Sequence, residues 1–171
     1  FKKQDKSKNF APHADLWDAC PQAYIHLLAE SNADMVQAFA LRRFEAHPEK
    51  ITLTERFDST LLLKMMLKKH HPTALFALQI AESRINTAVP DRDLVLAMLE
   101  APHLEVRRKA LEWMKNNLSF FVQDSQFVFQ LMIHEQPDLR QEAYTAMPQI
   151  LKILNETQQQ VLVGRLIAWL L

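Results

Sequence analysis

The apolar residues of this chain recur with a period of 33 positions. Three aspartates mark the interval, because Asp58, Asp91 and Asp124 lie 33 residues apart. Matching apolar sets follow them: Leu61, Leu94 and Phe127; Met65, Met98 and Leu131; Ala77, Ala110 and Ala143. A repeated unit of this length predicts a solenoid, in which neighbouring copies bury each other's apolar faces.

Each copy is predicted to contain two helices, A and B. In the copy that begins at Asp91, the aspartate suits an N-cap and Pro102 separates the two helices. The expected stripes are Leu94, Val95, Met98 and Leu99 in helix A, and Val106, Ala110, Leu111, Met114 and Leu118 in helix B. In the next copy they are Phe127, Val128, Leu131 and Met132, then Leu139, Ala143, Tyr144, Met147 and Leu151. The copy before has Leu61, Leu62, Met65 and Met66, then Ala77, Leu78, Ala81 and Ile85.

The pattern also extends towards both ends of the chain. An earlier copy holds Tyr24, Ile25 and Leu28, then Val36, Ala40, Leu41 and Phe44, with extra residues at 47–52. A last helix is expected over about 156–171, where Thr157 takes the aspartate position. Its stripe of Val161, Leu162, Leu166 and Ile167 is expected to face the preceding repeat, leaving Val163, Trp169 and Leu170 on other faces.

Two segments resemble the second helix of a HEAT-type repeat of the short, lyase-associated kind. They are EVRRKALEWM at 105–114 and DLRQEAYTAM at 138–147, which share an acidic residue, an arginine and then a small residue three positions on. The resemblance implies an all-α fold, a right-handed α–α superhelix of the HEAT/armadillo-like class with about four helix pairs and a final helix. The family's aspartate six residues before the arginine is replaced by Ala101 and His134, so a regular Asp–Arg ladder is not expected.

Composition narrows the function classes. A single glycine in 171 residues argues against β-hairpins and phosphate-binding loops. Lysine plus arginine equals aspartate plus glutamate at 20 each, so charge gives no general attraction to nucleic acid or membrane. The lone Cys20 fits a cytoplasmic protein. We expect a flexible polar lead-in at 1–12 and a HEAT-like domain at 13–171. Since the first residue is Phe1, we interpret the chain as a fragment of a longer, bacterial-like protein.

No catalytic, cofactor or metal site is predicted. Cys20 has no adjacent base, and His70 and His103 occupy equivalent repeat positions that are too far apart to share one ion. Arg107 and Arg140 are expected to orient helices or to cap carbonyl groups. The candidate partner-binding residues are Phe39, Arg42, Phe76, Arg108, Lys109, Trp169 and Leu170.

Two functions remain open from sequence alone. The first is a non-enzymatic scaffold that binds another protein or another domain of the same chain, with self-association through the apolar last helix as one form. The second is a nucleic-acid-binding protein resembling the helical-repeat alkylpurine DNA glycosylases, for which Trp113 beside Arg107, Arg108 and Lys109 is the local similarity. Equivalent positions of helix B in successive repeats carry both acidic and basic residues, and this mixed charge favours the scaffold over nucleic-acid binding.

Overall fold

The computed structural model describes residues 14–84 and 91–171, and those residues form helices joined by short loops, with no strand among them. The all-α expectation is therefore confirmed for this part of the chain. The predicted lead-in at 1–12 and the stripe residue Ile85 lie outside the described residues. The helices are α1 Ala14–Asp18, α2 Gln22–Glu30, α3 Asp34–Ala46, α4 Lys50–Thr54, α5 Ser59–Met66, α6 His71–Arg84, α7 Arg92–Leu99, α8 Leu104–Asn116, α9 Leu118–Phe121, α10 Ser125–Met132, α11 Pro137–Ile153 and α12 Glu156–Leu170.

The described residues divide into two compact units, 14–84 with 100–106 and 91–99 with 107–171. In the first unit, α2 packs on α3 and α5 packs on α6, which are the predicted helix pairs. Helix A then stacks on helix A (α2 on α5), and helix B on helix B (α3 on α6). Its core includes Tyr24, Leu28, Ala40, Phe44, Met65, Met66, Ala77 and Ala81.

In the second unit, α10 packs against both α11 and α12. Five buried residues join these helices, namely Val122, Val128, Ile150, Leu154 and Leu162. The predicted stripe of α7 is buried in full, and so are Ala110, Leu111 and Met114 of α8; Val106, at the start of α8 and in the first unit, is buried too. Among the described residues, no helix combines the length and apolar character needed to cross a membrane.

The aspartates that mark the repeat are helix caps, as predicted. The Asp58 carboxylate accepts a hydrogen bond from the Leu61 amide at 2.7 Å, and Asp91 accepts one from Leu94 at 3.2 Å. Asp124 accepts one from the Gln126 amide at 2.9 Å. Thr157, at the aspartate position of the last copy, lies inside α12; Asn155, two residues earlier, caps this helix, because its side chain accepts from the free amide of Gln158.

Several helix boundaries and stripe positions also differ from expectation. Helix α8 ends at Asn116, so Leu118 starts a separate helix, and the Asn117 side chain caps the carbonyl of Trp113. Tyr144 is 52% exposed because its hydroxyl reaches out to the Met132 carbonyl at 3.2 Å. Leu151 is exposed too, and the neighbouring Ile150 takes the buried position.

Candidate functional site

The last helix, α12, is fixed in place by its first turn. Asn155 and Gln158 form a reciprocal capping box, with amide-to-side-chain distances of 2.9 and 3.0 Å. The Gln158 side-chain amide also donates to the carbonyl of Gln123 at 2.8 Å, and that of Gln159 donates to the carbonyl of Leu154 at 3.0 Å. These bonds tie α12 to the residues before α10 and to the end of α11.

Only one narrow stripe of α12 is buried. Leu162 is 2% exposed within the cluster shared with α10 and α11, and Leu166 packs against that cluster, as predicted. Val161 and Ile167 were expected on the same face, and that expectation is wrong because both are exposed. On the helix surface they flank the buried stripe on either side.

The exposed side of α12 is strongly apolar. Val163, Ile167 and Leu170 follow one another at i, i+4 and i+7, so they form one continuous stripe on the helix surface. We call these three residues the outer stripe; all are exposed, and Leu170 is 75% exposed. Trp169, also exposed, continues the line of Leu162 and the partly buried Leu166 at the last turn. Contiguous apolar surface of this kind marks interaction sites in folded proteins.

The candidate residues Phe39 and Phe76 belong to two different aromatic clusters in the first unit. Phe39 meets the rings of Trp17 and Tyr24 edge-on, at centroid distances of 5.7 and 6.2 Å. Phe76 contacts Phe44 in the same way, at 5.6 Å. Both phenylalanines are half-buried. They therefore do not form a single exposed patch with Arg42, which is exposed.

Phe76 also lines a cleft of about 420 Å³ between α3, α4 and α6. The floor of the cleft includes Phe44, and Ile51 and Thr54 of α4 contribute to its wall. Arg84 supports this wall, since its guanidinium donates to the carbonyl of Phe57 at 2.6 Å and also to that of Thr54. The short helix α4 fills the extra residues that interrupt the repeat period.

A polar network that the periodic pattern did not indicate joins α1 to α3. Arg43 pairs with the Asp18 carboxylate at 2.5 Å, and Asp18 also accepts from the Tyr24 hydroxyl at 2.8 Å. Burial raises the pKa of Asp18, but the hydrogen bonds from Tyr24 and Arg43 outweigh it and leave that pKa below its ordinary value. Burial also raises the pKa of Tyr24.

The arginines predicted to serve packing do so. Arg107 is buried and its Nε donates to the Asp138 carboxylate at 3.0 Å. Arg140 donates to the carbonyls of His134 and Glu135 at 2.6 and 2.9 Å. An Asp–Arg contact thus links neighbouring repeats, although its aspartate comes from a different position than the family pattern uses.

The residues that suggested nucleic-acid binding are not arranged as a base-stacking site. Trp113 is 2% exposed, so its ring faces cannot receive a base. Lys109 lies over that ring at 5.9 Å from the centroid and pairs with Glu112 at 3.0 Å. Arg108 is exposed on the same helix.

His71 and His103 contact each other and neighbouring polar groups. His71 and His103 meet edge-on at 4.9 Å, His71 pairs with Glu105 at 3.2 Å, and the His103 ring lies 2.9 Å from the Lys68 carbonyl. Within residues 14–84 and 91–171, no group of three or more His, Cys, Asp or Glu side chains could hold a metal ion. Cys20 is an exposed free thiol.

Comparisons of the chain with protein-family models, with curated proteins and with solved structures find no match. A function must therefore be argued from the surfaces themselves. Of these, the outer stripe of α12 is the most distinct, because it is apolar, continuous and carried by a helix whose opposite side is firmly packed.

Proposed function

We propose that this protein is a non-enzymatic interaction scaffold, a HEAT-like right-handed α–α superhelix that binds a partner protein or another domain of its own chain. Support for the stacking comes from the first unit, where helix A packs on helix A and helix B on helix B. It also comes from polar contacts between residues about one repeat apart, such as Lys64 with Glu30 and Arg92 with Asp124. A cytoplasmic location is part of the proposal and is supported by the free thiol of Cys20.

The observation that carries the proposal is the outer stripe of α12. The opposite side of this helix packs on α10 through Leu162, in the way one repeat packs on the next. The outer stripe is a second apolar surface on the same helix. Its residues Val163, Ile167 and Leu170 have the spacing at which the apolar face of an amphipathic helix packs. We therefore assign its occupant as an amphipathic helix of a partner protein.

The test uses a synthetic amphipathic peptide with a single leucine stripe as its probe. We expect the peptide to bind the wild-type protein in an NMR titration and to shift the amide signals of α12. A scrambled peptide of the same composition, without a stripe, should not bind. Ile167→Glu and Leu170→Lys should abolish binding, because each places a charge where an apolar contact is required.

The matched control is Met35→Glu, which inserts the same negative charge as Ile167→Glu at a methionine that is 79% exposed on α3. It should bind the peptide like the wild type. Light scattering on all four proteins identifies self-association: a wild-type dimer that both α12 variants convert to monomer would make the occupant a second copy. A monomer that binds neither peptide, whatever residue stands at 167 or 170, would refute the scaffold proposal.

A further inference from the structure

Gln37 occupies the repeat position that holds Ala74 in the next copy and arginine in the two copies after it. The pairs Val36–Gln37, Val106–Arg107 and Leu139–Arg140 are equivalent in the repeat alignment. Arg140 donates to the carbonyl of His134, six residues upstream. The Gln37 side-chain amide donates to the carbonyl of Ser31, also six residues upstream. Gln37 therefore performs the carbonyl-capping role of the arginine.

The glutamine carries an acceptor that arginine lacks. A guanidinium has only donors, whereas a carboxamide has an oxygen that also requires a partner. Gln37 is 1% exposed, and within the described part of the chain its Oε1 has no hydrogen-bond partner. Rotating the amide would bring this oxygen against the Ser31 carbonyl, so the donor to Ser31 fixes the orientation. An unsatisfied buried acceptor destabilises the fold and is rare in native proteins.

Gln37 borders a cationic cleft of about 390 Å³ in the first unit. The loop after α2 contributes Asn32, and the loop before α6 contributes Leu67, Lys68, Lys69 and His70. Lys68 donates to the Asn32 side chain at 3.0 Å, which holds its ammonium at the cleft. Among the described residues no carboxylate lines the cleft, and its two lysines make it positive. Gln37 is one of the residues that line this cleft, so a donor bound there lies beside its side chain.

We propose that this cleft binds the C-terminal residue of a peptide. The terminal carboxylate pairs with Lys68 and Lys69, the backbone N–H of the last residue donates to Gln37 Oε1, and an aliphatic side chain contacts the half-exposed Leu67. An aspartate or glutamate side chain supplies the charge without an adjacent donor. Inorganic phosphate supplies charge and a hydroxyl but leaves Leu67 uncovered. The volume lies within the range of small-ligand sites.

This inference rests on the proposed function only in taking its ligand from a protein partner, and it concerns a surface other than α12. The probes are acetyl-glycyl-leucine, its C-terminal amide, its ester analogue in which the last N–H is replaced by oxygen, and inorganic phosphate. We expect saturable shifts of the Asn32 and Leu67–His70 amide signals with the free acid, and binding weaker by about tenfold or more with the amide.

The ester analogue isolates the contact to Gln37. Wild-type protein should bind it about three- to tenfold more weakly than the peptide acid, the effect of losing one hydrogen bond. Gln37→Met should bind the two ligands equally, because the acceptor is gone. Lys69→Gln should weaken acid binding, and Lys152→Gln, at an exposed lysine on α11, should leave it unchanged.

Three results would overturn the inference: equal binding of acid and amide, equal binding of acid and ester by the wild type, or phosphate displacing the acid at equal concentration. The α12 variants Ile167→Glu and Leu170→Lys should bind the acid normally. If the acid does not bind the cleft while the amphipathic peptide still binds α12, this inference fails and the proposed function stands. If the acid binds and the amphipathic peptide does not, the proposed function fails and this inference stands.

Discussion

At the scale of single residues, the polar side chains at one repeat position act in three ways, while the second copy has the buried Ala74 there. Arg107 reaches an aspartate, Arg140 caps two carbonyls, and Gln37 caps one carbonyl and keeps an unused acceptor. Sequence reasoning predicted the packing role of the two arginines from their period. It did not identify Gln37, because an alignment shows which repeat position a glutamine occupies but not whether its side-chain oxygen has a hydrogen-bond donor in the fold.

The first residue-scale prediction concerns Arg107. Arg107→Met should lower the free energy of unfolding by about 1.5–3 kcal/mol, because it leaves Asp138, which is three-quarters buried, without its charged partner. The matched control, Arg108→Met on the exposed side of α8, should change it by less than about 0.5 kcal/mol. Urea unfolding measures both. Equal effects of the two substitutions would show that the Arg107–Asp138 pair does not stabilise the fold.

The second concerns acid stability and Asp18. Its pKa is lower in the folded protein than the value of about 3.9 expected in an unfolded chain. The stabilisation is therefore complete above that value and is lost as the pH falls through the lower folded pKa. Asp18→Asn should destabilise the protein at pH 7 and make urea midpoints fall less steeply below about pH 4. Asp34→Asn, at an exposed carboxylate on α3, should keep the wild-type slope.

At the scale of helices, the sequence predicted the helices that begin with a capping aspartate and carry a long stripe of apolar residues. Asp58, Asp91 and Asp124 identified three helix starts correctly, since a carboxylate before an apolar stripe is a strong local signal. The short helices α1, α4 and α9 were missed, because four or five residues hold too few stripe positions to show a period. The exposure of Tyr144 was missed because its hydroxyl bonds to a carbonyl in another helix.

The prediction at this scale concerns Gly164, the only glycine of the chain, which lies inside α12. A Cβ added there would meet no atom within 4 Å. Gly164→Ala should therefore raise the free energy of unfolding by about 0.5–1 kcal/mol, because alanine loses less backbone entropy in a helix. Ala168→Gly, at an exposed position of the same helix, should lower it by a similar amount. Destabilisation by Gly164→Ala would mean that α12 is not a regular helix there.

At the scale of the whole molecule, the 33-residue period predicted the all-α class correctly. The candidate site could be predicted only in part. The sequence of α12 shows that the helix is apolar on several sides, but it does not show which side packs against the rest of the chain. Ile167 was therefore predicted on the buried side and is exposed. The cationic cleft depends on two loops about one repeat apart, and loop contacts leave no periodic signal.

The prediction at this scale concerns nucleic acid. With 20 basic and 20 acidic residues and with Trp113 buried, we expect no tight binding to duplex DNA at physiological salt. Fluorescence anisotropy should give a dissociation constant weaker than about 1 µM for the wild type and for Arg108→Ala alike. Submicromolar binding that Arg108→Ala weakens would favour the alternative resembling the DNA glycosylases.

The side-chain contacts between repeats have a consequence for biosynthesis. Lys64 meets Glu30, Arg92 meets Asp124 and Arg107 meets Asp138, so these partners lie only 34, 32 and 31 residues apart. Closing such short loops costs little chain entropy, which favours rapid folding. Within each unit, a helix can therefore dock on its predecessors soon after it leaves the ribosome. Helix α12 follows the other helices of its unit in the chain, so it gains its buried stripe only when those helices are already in place.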